Sequence, residues 1–197
     1  IDQIGCIDIG SNAIKYKQFR IIADDNQNYS KELETYKRIP IRLGTDAFRK
    51  GKIRKKTINK LTESLDELVS NLDSKKINLI GGFATSAMRS ASNGSEVCQH
   101  LNAKLNLNIH LLSGDQEAQL LNDLSNSFPA DGSYLFVDVG GGSTELFYKN
   151  SSNVMFKSLN LGAVRIYLEK DHLSEWQDLE AFLASLGHIK NIVGVGG

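Results

Sequence analysis

Two short segments of this chain combine carboxylates, glycines and hydroxyls in a pattern suited to phosphate. One is Asp8-Ile-Gly-Ser-Asn12 and the other is Asp138-Val-Gly-Gly-Gly-Ser-Thr144. Glycines let the backbone approach an anion closely and turn several N–H groups toward it, while Ser or Thr adds a hydroxyl donor. An aspartate beside such a loop repels a bare phosphate. It makes chemical sense next to a divalent cation that bridges to phosphate oxygens. Asp138 in particular stands between Val137 and Val139, and a carboxylate in an apolar strand needs a cation or strong donors. Each loop alone could be an ordinary hairpin turn, since Gly and Asn are common turn residues. The two together argue for phosphate.

The elements that must position these loops can be read from the apolar patterning. Ile4 to Ile9 reads as a buried strand stopped at Gly10-Ser11-Asn12, and Ala13 to Ile22 alternates as a second strand. The same layout recurs with Tyr134 to Val139, the glycine loop, and the strand Glu145 to Tyr148. Ile7-Asp-Ile-Gly-Ser-Asn12 and Val137-Asp-Val-Gly-Gly-Gly-Ser143 are thus a near-repeat, which suggests two related domains facing one cleft. A dinucleotide-binding fingerprint is excluded because strands, not helices, follow both loops. A Walker loop is excluded because Gly-Lys-Ser/Thr does not occur.

Between the loops, the spacing predicts a strand over Thr35 to Leu43, a solvated basic loop from Arg49 to Lys56, and a helix over Thr57 to Leu72. Then come a strand over Ile77 to Phe83, a short helix from Thr85, a helix over Ser95 to Leu105 and a strand over Ile109 to Leu112. Ser113-Gly-Asp-Gln116 has capping-box spacing and opens a helix running to Ser125. Asn126 to Ser133, with Pro129 and Gly132, reads as the linker. Domains are therefore expected over 1–130 and 131–197. In the second, a strand covers Val154 to Leu159. A second capping box at Ser174 to Gln177 opens a helix with Trp176 and Phe182 in the core, and Gly187 stands where its C-terminal cap should be. Ile192 to Val195 is a last strand before Gly196-Gly197. A second domain of about 65 residues is near the lower size limit for an independent core, so the chain reads as a fragment.

Positive and negative side chains balance at 23 each, which argues against nucleic-acid binding. Any anion site must be local. No apolar run reaches membrane-spanning length. Cys6 and Cys98 lack metal-ligand spacing and read as buried free thiols of a reducing cytoplasm. His100, His110, His172 and His188 show no ligand spacing and receive no role. Taken alone, Glu117 could simply favour the dipole of its helix, and Arg89 could be a solvated helix arginine.

Five segments, in order along the chain, resemble signatures of the exopolyphosphatase/guanosine pentaphosphate phosphohydrolase family. They are Asp8 to Asn12, Ala84-Thr-Ser-Ala-Met-Arg-Ser-Ala-Ser-Asn-Gly94, Ser113-Gly-Asp-Gln-Glu-Ala118, Asp138 to Glu145, and Leu161-Gly-Ala-Val-Arg165. Arg42-Leu-Gly44 and Val193-Gly-Val-Gly-Gly197 fit as well. The resemblance implies an α/β, ribonuclease H-like (actin-like) fold: two related domains with mixed sheets clamp phosphate between two hairpins, and the second domain continues past Gly197. It implies a magnesium-dependent hydrolase that releases terminal orthophosphate from polyphosphate or guanosine pentaphosphate. Gly10, Ser11 and Asn12 match the first phosphate loop, Gly140, Gly141, Gly142, Ser143 and Thr144 the second, and Arg89 a phosphate-contacting arginine. Glu117 matches the carboxylate that orients and deprotonates the attacking water. Asp138 and Glu145 match acids near the Mg2+ site, with Asp8 joining through water. Two positions depart from the pattern: Ala13 replaces a usual Ser or Thr, and Gln116 replaces the first of two usual acids. Gln116 is the capping partner of Ser113, which leaves Glu117 free to point elsewhere. An actin-like ATPase or sugar kinase and a phosphate-sensing module are the competing readings. The expected setting is cytoplasmic, with no nucleic-acid or membrane partner, and a homodimer is the assembly carried forward.

Overall fold

The computed structural model describes residues 2–23 and 29–195. It consists of two compact units, Ile1–Leu111 and Leu112–Gly197. In the first, β1 (Asp2–Ile9), β2 (Ile14–Ala23) and β3 (Tyr29–Ile39) form an antiparallel meander. Helices α1 (Leu43–Lys50) and α2 (Lys55–Ser74) follow, then β4 (Asn78–Ala84), α3 (Ser86–Ser90), α4 (Gly94–Leu105) and β5 (Ile109–Leu111). The sheet runs β3-β2-β1-β4-β5, with β4 and β5 joining in parallel. The second unit opens with α5 (Gly114–Ser125), followed by β6 (Tyr134–Val139), β7 (Thr144–Lys149) and β8 (Val154–Leu159). Then come α6 (Ala163–Tyr167), α7 (Leu173–Ser185) and β9 (Asn191–Val195). Its sheet order, β8-β7-β6-β9, repeats the first four places of the other sheet, with β9 parallel to β6 as β4 is to β1. The near-repeat in sequence is a repeat of topology.

Alternation along the strands decides what each sheet face buries. In the second unit Leu135, Leu146 and Tyr148 pack with Leu159, Leu161 and Phe182, so α7 covers one face. Phe136 and Phe147 point the other way and pack with Leu121 of α5. Each of these fully buried rings stabilises the unit by roughly 1.5–3 kcal/mol. The packing of Leu121 also explains where the units part. The sequence reading divides the chain at 130–131, but α5 precedes that linker and buries its apolar side on the second sheet, so it belongs with the second unit. In the first unit α2 keeps Leu61, Leu65, Leu68 and Leu72 buried at helical spacing, and it packs on α4 and β4.

Several local expectations are corrected. The predicted strand up to Leu43 ends at Ile39, before Pro40, and Leu43–Lys50 is helical. The basic run is only partly a solvated loop. Arg49 and Lys50 close the last turn of α1, where cations suit the helix dipole. Ile53 is buried, and Arg54 pairs with buried Asp46. Asp46 also accepts hydrogen bonds from the Arg54 amide (3.1 Å) and Thr57 Oγ1 (2.6 Å), capping α2 from outside. The second capping box does not form. His172 is the N-cap of α7 without a side-chain bond, which places Ser174 inside the helix. The helix ends at extended Leu186 rather than at a glycine cap. Trp176 is 38% exposed and donates to Asp171 (2.9 Å) instead of packing in the core. Cys98 is buried, but Cys6 is only half-buried. Gly196-Gly197, the closing pair of the last motif, lies outside the described residues.

Candidate phosphate-binding site

The two loops are built alike. In the first, β1 pairs with β2 so that Asp8 faces Lys15 and Ile9 faces Ile14, and the Gly10 amide donates to Ala13 O (3.1 Å). In the second, Asp138 faces Glu145 and Val139 faces Thr144, and the Gly140 amide donates to Ser143 O (2.9 Å). Among the described residues, the amides of Ser11, Asn12 and Ala13 engage no acceptor, and neither do those of Gly141, Gly142 and Ser143. Each loop therefore presents three successive N–H donors, the requirement for holding an anion.

A glycine after the third strand braces each loop. Gly44 N–H donates to Ser11 O (2.7 Å), and a Cβ on Gly44 would come within 3.1 Å of that oxygen. Gly162 lies closer still, since a Cβ there would sit 2.6 Å from backbone atoms of Gly142 and Ser143. Both braces read Leu-Gly, as Leu43-Gly44 and Leu161-Gly162. Comparing the two halves beyond the Asp-Gly segment would have revealed this signal; reading each motif in isolation missed it.

In the first unit, loop 10–12 lies at the carboxyl end of β1. The start of α3 lies at the carboxyl end of its parallel neighbour β4, joined to β1 by the Thr85 amide on Ile9 O (3.3 Å). Arg89 stands one turn into α3, with its amide on Thr85 O (3.0 Å). Asp8, Gly10, Ser11, Asn12 and Arg89 all belong to this unit.

The second unit gathers the acids. The predicted capping box forms in full, with the Gln116 amide on Ser113 Oγ (3.1 Å) and the Ser113 amide on Gln116 Oε1 (2.8 Å). Gln116 is thereby committed to the cap, and Glu117 is the next residue round the helix. Glu145 is 5% exposed, and its carboxyl is pushed up to about 7. Burial is the main cause, the neighbouring Glu117 charge comes next, and Asp138 adds to it, while hydrogen bonds from Ser143 and Ser158 pull the other way. Glu117, Asp138 and Glu145 therefore belong to one electrostatic cluster beside the second loop. Ser158, which donates to Glu145 Oε1 at 3.0 Å, was not singled out in the sequence. It faces Glu145 across the β7–β8 pair, and only the register reveals it. Thr144 sends its hydroxyl to Leu161 O (2.7 Å), so this side chain braces the loop.

A duplicated β-meander, with a glycine loop after the first strand of each copy, defines an actin-like α/β fold. The chain belongs to the Ppx/GppA phosphatase family, which it matches over residues 21–182. It is 28% identical over 174 residues to exopolyphosphatase 1 of Mycobacterium tuberculosis, covering 85% of this chain and 48% of that protein. It is 31% identical over 106 residues to a guanosine-5'-triphosphate,3'-diphosphate pyrophosphatase of Pseudoalteromonas translucida, covering 53% of this chain and 20% of that one. The crystal structure of an exopolyphosphatase from Cytophaga hutchinsonii superposes with a TM-score of 0.78 at 20% identity, over 100% of this chain and 67% of that chain. The chain thus spans about half the length, or less, of the curated relatives it matches. No helix among the described residues is long and apolar enough to cross a membrane.

Proposed function

We propose that this protein hydrolyses a terminal phosphoanhydride bond, releasing orthophosphate from inorganic polyphosphate or guanosine pentaphosphate with the help of magnesium. The observation that carries this reading is the second loop, where three open amides stand beside the electrostatically coupled acids Glu117, Asp138 and Glu145. The names of the relatives support the same class of substrate.

The residues present fit a magnesium ion. Asp138 and Glu145 stand directly opposite each other on adjacent strands, where like charges repel, and Glu145 resists ionisation in the absence of a cation. Among the described residues, no group of three or more His, Cys, Asp or Glu could hold a metal. Magnesium does not require one, because it binds through one or two carboxylates and takes its remaining ligands from water and phosphate oxygens. Asp138 and Glu145 would hold it. When bound, it neutralises phosphate charge.

The chain's own residues supply the rest. Within the second unit the amides of Gly141, Gly142 and Ser143 bind and orient phosphate oxygens, and within the first the amides of Ser11, Asn12 and Ala13 and the Arg89 guanidinium suit the same kind of ligand. Glu117 accepts a proton from a water as its oxygen attacks the terminal phosphorus in line, and the bridging P–O bond breaks toward the departing chain. Gln116, tied into the cap, holds the helix that carries Glu117. The test compares phosphate release from polyphosphate, guanosine pentaphosphate and ATP by the full-length protein, with Glu117→Gln and Gln116→Ala alongside. Glu117→Gln should retain substrate affinity and lose roughly 10²–10⁴-fold in single-turnover rate. Gln116→Ala should lose about 1 kcal/mol of stability and keep its rate. Near-normal turnover by Glu117→Gln would remove the base from this account.

A further inference from the structure

The second loop is held by one short segment. Gly140 O accepts from the Ala163 amide (3.0 Å) and Gly141 O from the Val164 amide (2.7 Å). Gly142 O accepts from Arg165 Nε (2.6 Å). The C=O and N–H of a peptide point in opposite directions, so fixing three successive carbonyls fixes how the amides of Gly141, Gly142 and Ser143 are presented. The first two bonds are main-chain contacts that any side chains at 163 and 164 allow. The third depends on an arginine, and it orients the last amide of the set, that of Ser143.

Arg165 is itself steadied from behind. Its Nη2 donates to Asn160 Oδ1 (3.3 Å). Asn160 in turn donates its amide (2.8 Å) and its Nδ2 (2.9 Å) to the two carboxylate oxygens of Glu175 in the first turn of α7. A line of polar contacts therefore runs from Glu175 through Asn160 and Arg165 to the Gly142 carbonyl. A cationic donor on that carbonyl also polarises the peptide, strengthening the Ser143 N–H as a donor. Lysine cannot replace this, since one point charge does not offer the fixed fork that meets Gly142 and Asn160 at once. The core does not need Arg165 either, because α6 buries none of its residues.

We propose that Arg165 is a positioning residue for phosphate binding, aligning the amides of the second glycine loop through the Gly142 carbonyl with Asn160 and Glu175 behind it. This rests on the reading of that loop as a phosphate site. The experiment uses the full-length protein and its Arg165→Ala, Arg165→Lys and Asn160→Ala variants. It measures amide hydrogen exchange at Gly141 to Ser143, tripolyphosphate binding, and KM and kcat for phosphate release. Arg165→Ala should speed exchange at these amides and weaken tripolyphosphate binding roughly tenfold or more, with the melting midpoint little changed. Arg165→Lys should recover only part of the affinity, and Asn160→Ala should move exchange and affinity in the same direction by less. If Arg165→Ala proves unstable, the lysine variant decides the matter by the same readouts. Unmoved loop amides with unchanged affinity and KM overturn the proposal. If the wild-type protein neither binds tripolyphosphate nor releases phosphate, the functional reading fails by itself, and loop exchange in the variants still decides whether Arg165 positions the amides.

Discussion

Glu145 gives the second unit a pH dependence whose sign and size follow from its surroundings. Its carboxyl titrates at about 7 in the folded protein against an ordinary 4.5, so the folded state holds a proton that the unfolded chain has already released. The contribution of this group to stability is therefore full below pH 4.5, declines as pH rises through that window, and is gone above pH 7. A displacement of this size costs the ionised carboxylate about 3 kcal/mol, or roughly 6–12 °C in melting temperature for a chain of this length. Other groups titrate in the same range, so the informative quantity is the difference between wild type and Glu145→Gln. A glutamine imitates the protonated acid. The two proteins should melt together near pH 4 in chelator, and wild type should fall about 3 kcal/mol below the variant by pH 8. Glu117→Gln removes the second-largest cause, so it should make the decline smaller and end it at lower pH. Urea or thermal denaturation at stepped pH supplies the measurement. A wild-type-minus-variant difference that stays flat from pH 5 to 8 would refute the argument that burial and neighbouring acids hold Glu145 protonated.

Two further predictions concern the cation and the first unit. Millimolar magnesium at pH 8 should restore much of the wild-type stability and none of that of Glu145→Gln, while Asp138→Asn should raise the magnesium needed for turnover or abolish activity. Undiminished hydrolysis in excess chelator would remove the metal from the mechanism. Asp46→Asn should cost about 1–3 kcal/mol, because the buried carboxylate holds the Arg54 guanidinium, the Arg54 amide and Thr57 at the start of α2. An unchanged melting midpoint would show that α2 does not depend on this cap.

Elements whose signal is local and periodic were legible in the sequence. Strands β1, β2, β6, β7 and β8, the leucine stripe of α2 and the capping box at Ser113 appear within a residue or two of their expected places. Elements decided by tertiary contacts were not. Leu43–Lys50 contains Gly44 and Thr45, poor helix formers, and becomes helical where its apolar side, Leu43, Ala47 and Phe48, is buried. Ser174 to Gln177 has the letters of a capping box, but α7 starts two residues early and never uses them. The candidate site divides along the same line. The loops and Glu117 stand in recognisable motifs, whereas Ser158 and the bond from Arg165 to Gly142 depend on register and on a return of the chain.

Duplication also explains why a cation should be needed at one loop more than at the other. Both copies place an aspartate second from the end of their first strand and pair it across the hairpin with the residue after the turn. In the first copy that partner is Lys15, so the residue across from Asp8 is a cation rather than a second acid. In the second copy the partner is Glu145, so Asp138 faces another acid, and Glu117 adds a third negative charge to the same neighbourhood. A single exchange of sign at equivalent positions thus sets acid opposite base in one hairpin and acid opposite acid in its twin, the hairpin to which the proposed mechanism assigns the cation. Exchanging the signs tests this. Lys15→Glu should create in the first hairpin an acid pair opposite Asp8 that binds divalent ions weakly and destabilises the metal-free protein. Glu145→Lys should remove the stabilisation by magnesium while leaving the second hairpin folded. If Glu145→Lys still gains stability from magnesium, the ion is held elsewhere, and the asymmetry of the two loops has another origin.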